Sequence, residues 1–408
     1  MTGYFTVRKP KIAIFDYSVR SDSAMGGCHL RMLAGLAEKY DFTVFAVEFE
    51  NPAPSKIKFV RIPAWKRPTI LLSAMFHLLA PLYYGVHRLK HWVRFDLVEK
   101  MEVFTFLGSV AYIHFCYRAY LSKHWSQSRQ PGLRGLLLSL DQATRAYILE
   151  PVLYRFAGRL IVPSRGLARE LSEAYPFTAK KIHLIPNSVD YLRLSNPAEG
   201  FDRDVFRKDM GFVPSDIVLV FVALGQFERK GLHLLLEAVA QVRNSDVKVL
   251  VVGGSEHWME YYGALAEALK IRQDVKFVGM QRDVAPFLWS ADAFCMPSLY
   301  ETFLLVGIES AAAGLPLLVP RLNGVEDYMI DGENGILLDR TSESIAAAIK
   351  HLVTIGPDGR KELGKAAQCA AHRYDLEAFV ANWDEFIKAQ LNGHGYLPDT
   401  LSANAKNV

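Results

Sequence analysis

The sequence predicts an α/β protein of two doubly wound domains that face each other across a cleft. Three observations carry that prediction. At 408 residues the chain is long enough for two domains of ordinary size, each with its own core. Short apolar runs suited to buried strands alternate with helical stretches, as in parallel sheets covered on both faces. The alternation stops once, at a stretch with few large apolar groups, and then restarts.

In chain order, KIAIFDYS (11–18) reads as the first strand. A loop with Gly26-Gly27 follows, then a helix to about Tyr40. FTVFAVEF (42–49) and IKFVRIPA (57–64) are the next strands. Residues 69–93 read as helical, with Pro81 and Gly85 expected to kink or break them. VAYIHFCY (110–117) reads as a strand and is followed by a polar, basic loop. A helix near 133–156 leads into strand RLIVPS (159–164), helix 165–175 and strand KIHLIPNSV (181–189). YLRLSNPAEGFDRD (191–204) reads as the linker, which divides the chain into domains 1–195 and 196–375. Strands follow at 216–224, 248–254, 275–280, 293–298, 315–320 and 335–339, with helices at 231–243, 256–271 and 283–290. A last helix, 376–392, is expected to cross back to the first domain, and 393–408 to form a frayed tail.

Composition narrows the function classes. Half of the residues are hydrophobic and 22% are charged, so the chain reads as globular. Cys28, Cys116, Cys295 and Cys369 are scattered with no C-x-x-C pair. That argues against a zinc site or a disulfide framework and fits a reducing compartment. MTGYFTVRKPKIAIF lacks the pattern of a secretory signal, so a cytoplasmic location is expected. Residues 1–190 hold 26 Lys and Arg against 14 Asp and Glu, whereas residues 191–408 hold 21 against 29. The basic half should face an anionic partner or surface. No P-loop, G-x-S-x-G elbow or H-E-x-x-H is present. No G-x-G-x-x-G follows the first strand, which weighs against a standard dinucleotide oxidoreductase. The D-x-D at Asp202 and Asp204 lies in the expected linker and reads as surface charge.

The strongest candidate site is SLYETFLLVGIESAAAG (298–314). Glu301 and Glu309 stand eight residues apart, a rise of roughly 12 Å along a helix. A similar length separates the sugar from the ribose in a nucleoside diphosphate sugar. Carboxylates accept hydrogen bonds from vicinal hydroxyls. Between the acids, a helix start would present amides at Phe303, Leu304 and Leu305 to a diphosphate. The plainer alternatives are a capping box of Ser298 with Glu301 and a solvated Glu309. In ALGQFERKGLHLLLEAVA (223–240), Arg229 and Lys230 follow a strand and could neutralise a departing diphosphate. The alternative is a solvated pair in a turn. Gly26-Gly27 permits close backbone approach to a phosphate or sugar, or simply makes a flexible turn. His114 is a cleft candidate, or a packed core histidine.

Residues 61–95 contain six Lys or Arg and no acid. PTILLSAMFHLLAPLYYGV between the basic ends almost qualifies as a spanning helix. His77, Pro81 and Gly85 argue against a clean span. Basic flanks with Trp65, Tyr83, Tyr84 and Trp92 suit a helix lying on an anionic membrane surface. A buried domain helix with a basic rim is the alternative.

Taken together, PNSVD (186–190), GQFERKG (225–231), VVGG (251–254), VKFVGM (275–280), PSLYETFLLVGIESAAAGLP (297–316) and DGENGILL (331–338) resemble the retaining glycosyltransferases of family 4. Those enzymes have the GT-B fold of two Rossmann-like domains. The resemblance implies transfer of a hexose from a UDP- or GDP-sugar with retention of configuration. It implies no required metal and no cofactor beyond the nucleotide-sugar co-substrate. By position, Glu301 would contact the sugar and Glu309 the ribose. The Phe303, Leu304 and Leu305 amides, with Arg229 and Lys230, would hold the diphosphate. Gly225 and Gly253 fall in matching donor stretches, and the backbone near Met280 would meet the base. Gly26 and Gly27 would approach the phosphate or the acceptor, and His114 would line the acceptor side near the anomeric carbon. The departing phosphate would itself deprotonate the acceptor. The chain departs from the family at Thr302 and Leu304, where Gly is usual, and at Gln226, where Arg is usual. The implied acceptor is a glycan or a lipid-linked glycan at the cytoplasmic membrane face, in cell-surface polysaccharide or glycolipid assembly. No nucleic-acid partner is expected. The competing readings are a nucleotide-sugar epimerase or hydrolase on this scaffold, and a glycan- or lipid-binding module without turnover.

Overall fold

The computed structural model describes residues 8–125 and 132–393. The first sheet is wholly parallel and has seven strands: β1 (Lys11–Val19), β2 (Asp41–Phe49), β3 (Lys58–Arg61), β4 (Leu97–Met101), β5 (Val110–Tyr112), β6 (Arg159–Val162) and β7 (Ile182–Leu184). Their spatial order is β3-β2-β1-β4-β5-β6-β7. The second sheet holds β8 (Ile217–Val222), β9 (Val247–Val252), β10 (Val275–Gly279), β11 (Ala293–Cys295), β12 (Leu317–Pro320) and β13 (Gly335–Leu338). It too is parallel, in the order β10-β9-β8-β11-β12-β13. Both domains of the expected doubly wound fold are therefore present. The central strands are apolar on both faces, as IVLVFV of β8 shows, because helices cover both sides.

The last helix, Leu376–Leu391, returns to the first domain as expected. Its Phe379, Trp383, Phe386 and Ile387 join that domain's core. The Trp383 ring meets Tyr112 edge-on at 5.0 Å. Asp384 accepts hydrogen bonds from Tyr40 Oη (2.7 Å) and Lys39 Nζ (2.6 Å) and fixes the helix against residues 24–40. Across the cleft, Ser164 Oγ donates to Thr302 O (2.6 Å) and Tyr300 Oη to Glu170 Oε2 (2.9 Å). These ties join the loop after β11 to helix Arg165–Ala174, which follows β6, and to its cap Ser164.

Several elements differ from expectation. LVEKM was not legible as β4, because it carries two charges. Both are buried: Glu99 is bonded to His29, and Lys100 lies beneath the sheet's other face. The 110–117 strand stops at Tyr112, after which the chain turns into helix Tyr117–Lys123. Part of the expected basic loop, and all of the expected tail beyond Gly393, lie outside the described residues. The helix Thr69–His91 runs through Pro81 without a break. Phe76 and Tyr84, on either side of the proline, pack their rings against Tyr17 and Phe15 and hold both halves to the sheet. The expected linker contains helix Tyr191–Ser195 and the start of helix Arg203–Met210. Asp202 caps the latter by accepting from Asp204 N and Val205 N, so the D-x-D is a capping device. Helices Ser342–Thr354 and Gly356–His372 were not anticipated.

His29 joins three elements of the first domain. Its Nδ1 lies 2.8 Å from Asp16 Oδ2 on β1, and its Nε2 lies 2.7 Å from Glu99 Oε1 on β4. Burial lowers the imidazole pKa, but the two carboxylates outweigh it and raise the value to about 10. The charged ring therefore sits between two buried acids. His29→Gln should destabilise the fold by about 3–5 kcal/mol, because it strands buried carboxylates. The folded pKa is raised, so the contribution is complete below the unfolded value of about 6.5 and fades as pH rises through 10. Urea unfolding of both proteins across that range should show their difference shrinking with rising pH.

Candidate functional site

Each sheet reverses its winding at one place: between β1 and β4 in the first, and between β8 and β11 in the second. A crevice opens at the carboxyl ends of the strands at such a point. In the second domain, Gly225 to Lys230 follow β8, and Ser298 to Leu305 follow β11. The predicted cations and the first predicted acid thus meet across the switch point.

Glu301 is nearly enclosed and accepts from Ser298 Oγ at 2.7 Å. It also pairs with Lys230 Nζ. The Ser298–Glu301 bond of the plainer reading therefore exists, yet it does not use up the carboxylate. Burial pushes the Glu301 pKa up, but Lys230 and Arg229 outweigh it and hold the carboxyl below its usual range. Arg229 Nη1 donates to Tyr300 O at 3.1 Å, and its Nε has no partner. The site therefore holds an ionised carboxylate beside two cations, one with a donor to spare. Glu309 lies inside helix Leu305–Ala312, and burial raises its pKa, with Arg31 and Arg193 acting in opposition. Two glutamates eight residues apart thus have opposite tendencies, set by their neighbours.

Phe303 and Leu304 are buried, and Leu305 packs against the cores of both domains. Leu304 sits just before the helix with φ +53°, in the left-handed region. Gln226, before the short helix Phe227–Lys230, has φ +56°. Both positions favour glycine, and neither could be found from residue type alone. Gly253 has φ +101°, and a Cβ there would lie 2.0 Å from Ala223 O. Gly225 has open space around it, and Met280 is exposed at the end of β10.

On the first-domain side, a Cβ on Gly26 would meet Ser18 O at 1.9 Å. Its amide donates to Ser23 Oγ, which caps helix Ala24–Leu36. The glycine pair lies within the first turn of that helix rather than in a loop, and Gly26 lets the helix pack against the end of β1. A Cβ on Gly27 would make ordinary contact with Arg20 O at 3.8 Å and Ser21 O at 3.9 Å. His114 is buried, with Nε2 donating to Asn187 Oδ1 at 3.1 Å. Its Nδ1 therefore carries a lone pair and has no partner. Burial lowers the His114 pKa to about 4, so the ring is neutral. Asn187, which also accepts from Tyr112 Oη, and Glu102, which accepts from His114 N, escaped the sequence reading. Only the PNSVD stretch hinted at the first. Among the described residues no group of three metal-ligating side chains occurs.

Comparison with known proteins places this geometry. Residues 29–193 match the Glycosyltransferase Family 4 model and residues 217–354 the Glycosyl transferases group 1 model. The chain belongs to the family-4 glycosyltransferases, with the GT-B fold. A D-inositol 3-phosphate glycosyltransferase of Segniliparus rotundus is 30% identical over 59% of this chain and 54% of that protein. The chain spans about half the length of the curated relatives it matches. WaaG, a glycosyltransferase involved in lipopolysaccharide biosynthesis, superposes with a TM-score of 0.74 at 19% identity, over 92% of this chain and 99% of its own. Anabaena Alr3699/HepE, solved in complex with UDP-glucose, gives a TM-score of 0.69 at 19% identity, over 93% and 99%.

Within this glycosyltransferase family member, the non-glycine residues at 226 and 304 can be separated by experiment. Gln226 is exposed, so Gln226→Gly should leave stability unchanged or raise it by up to about 1 kcal/mol as the left-handed strain is relieved. Leu304 is buried, so Leu304→Gly should destabilise by about 2–4 kcal/mol, lost packing exceeding the relief. Denaturant unfolding of both variants checks the contrast.

Proposed function

We propose that the protein is a retaining, metal-independent hexosyltransferase that uses a UDP- or GDP-sugar. The observation that carries this reading is the Glu301–Lys230–Arg229 cluster at the second domain's switch point. The ionised Glu301 would accept from the hydroxyls of the donor sugar, and Glu309 from the ribose. Lys230 and the spare Nε–H of Arg229 would take up charge as the sugar–phosphate bond breaks. The bond from C1 to the phosphate oxygen breaks, and a bond from C1 to the acceptor oxygen forms. The acceptor proton passes to the departing phosphate on the same face. His114 would border that face as a neutral hydrogen-bonding group. UDP-glucose bound by the Anabaena neighbour supports a nucleotide-sugar donor.

The acceptor is a glycan or lipid-linked glycan presented at the cytoplasmic face of a membrane. Helix Thr69–His91 supports this reading: it is long and apolar enough to cross a membrane by length and composition, yet one face packs on the sheet. Its outer face exposes Leu78, Leu82, Val86 and Leu89, with Trp92 beyond the end. A second ridge, Leu133, Leu136 and Leu140, runs along helix Gly132–Thr144. Arg61, Lys66, Arg67, Arg88, Lys90 and Arg94 belong to the same 61–95 segment. Apolar ridges with basic surroundings suit peripheral docking on anionic lipid.

Incubation with a panel of nucleotide sugars should release nucleoside diphosphate; no release from any donor, with or without lipid extract, removes the reading. Glu301→Gln should lower kcat about 100-fold and leave nucleoside diphosphate affinity nearly unchanged. Glu309→Ala should weaken that affinity about tenfold, and unchanged affinity rules out the ribose contact. The raised Glu309 pKa and lowered Glu301 pKa give the pH sign. On acidification Glu309 protonates first, so donor affinity falls while Glu301 is still charged. Sedimentation with anionic vesicles should decline with salt; equal recovery with neutral vesicles counts against electrostatic docking.

A further inference from the structure

Tyr300 and Thr302 stand on either side of Glu301, and the first domain holds both. Tyr300 Oη donates to Glu170 Oε2 at 2.9 Å, and Ser164 Oγ donates to Thr302 O at 2.6 Å. Both partners come from one element: Ser164 caps helix Arg165–Ala174, and Glu170 is buried on it. The Tyr300 hydroxyl also takes a hydrogen bond from the Cys116 backbone, and the Glu170 carboxyl takes one from the Asn323 side chain. Around the Tyr300 ring lie Phe115 and Tyr120, each 5.2 Å away between centroids, and His124 at 5.1 Å. A buried second-domain side chain is thus seated among first-domain groups.

The backbone of the same segment serves the donor side. Tyr300 O accepts from Arg229 Nη1 at 3.1 Å, and Leu299 N donates to Arg229 O at 2.8 Å. Lys230, next along the chain, pairs with Glu301. The loops after β8 and β11 are therefore tied to each other, and Tyr300 ties that pair of loops to the first domain. Other contacts cross the same junction, but the ion pairs Arg165–Asp327 and Arg169–Glu326 use exposed arginines, and such pairs contribute little. Losing a hydrogen bond between buried groups costs more. Placement matters here because a transfer between two domains needs both reactants in register, and a misplacement of about 1 Å can cost about 100-fold in rate.

We infer that Tyr300 and Glu170 are positioning residues: with Ser164 they fix Glu301 and its cations against the first domain. The role in transfer rests on the transferase reading of the Glu301 cluster, but the tie between the domains does not.

Tyr300→Phe removes the hydroxyl and keeps the ring in its seat. Glu170→Leu removes the acceptor, whereas Glu170→Gln keeps an oxygen to accept from Tyr300. In Tyr300→Phe and Glu170→Leu, kcat should fall about tenfold. Nucleoside diphosphate affinity, and the fraction of protein that binds it, should hold, because Arg229, Lys230 and Glu301 stay tied within the second domain. Glu170→Gln should recover most of the rate. A readout without turnover uses spin labels on Cys369, which is exposed in the second domain, and on Ser55→Cys in the first; Cys28, Cys116 and Cys295 are buried. Pulsed electron resonance should give one narrow distance distribution for the parent and for Glu170→Gln, and a broader or shifted one for Tyr300→Phe and Glu170→Leu. Unchanged distributions, or an unchanged kcat in these two variants, overturn the inference. So does a binding fraction that falls together with kcat, which is the mark of a merely structural role, or a Glu170→Gln that behaves as Glu170→Leu does. Altered distributions in a protein that releases no nucleoside diphosphate from any donor leave the tie standing while the transferase reading fails.

Discussion

Where β1 lies against β4, and where β8 lies against β11, successive crossovers wind away in opposite directions. That reversal leaves a gap at the carboxyl ends of two neighbouring strands, uncovered by any connecting helix. Buried and half-buried charged side chains collect at those two gaps. In the second domain, the loop after β8 brings Arg229 and Lys230, and the loop after β11 brings Glu301. In the first, β1 ends near Tyr17, and β4 runs into Glu102. Ser164 on Thr302 and Tyr300 on Glu170 turn the two gaps toward each other.

Environment then divides the work among similar groups. Glu301 and Glu309 are the same residue on one segment, yet cations beside the first outweigh burial and those near the second do not. His29 and His114 show the same division. The first is charged because two carboxylates clamp it; the second is neutral because burial dominates and its one hydrogen bond goes to an amide oxygen. One becomes a brace across β1 and β4, and the other keeps a buried Nδ1 without a partner.

Among the described residues, three of the six non-glycine positions with left-handed φ border the same gaps. Leu304, Gln226 and Glu102 all adopt left-handed φ, and all lie at the ends of strands or the starts of helices that border the two gaps. At Leu304 the strain is offset by burial of the side chain against Tyr328 and Gly307. Glu102 gains the bond from His114 N. No comparable packing holds Gln226, which is exposed.

The sequence by itself determined the two doubly wound domains, because apolar strand runs and helical periodicity are local properties that survive without tertiary context. It also singled out Glu301, Glu309, Arg229 and Lys230, which lie in short stretches whose spacing is legible along the chain. It could not reveal β4, whose Glu99 and Lys100 look like surface charge until His29 and the sheet's other face bury them. Nor could it unite Asp16, His29 and Glu99, which are separated by up to 83 positions in the sequence. The neighbouring positions of β1 and β4 bring those three together. The neighbours of each buried group then decided its charge, as in the charged His29 and the neutral His114.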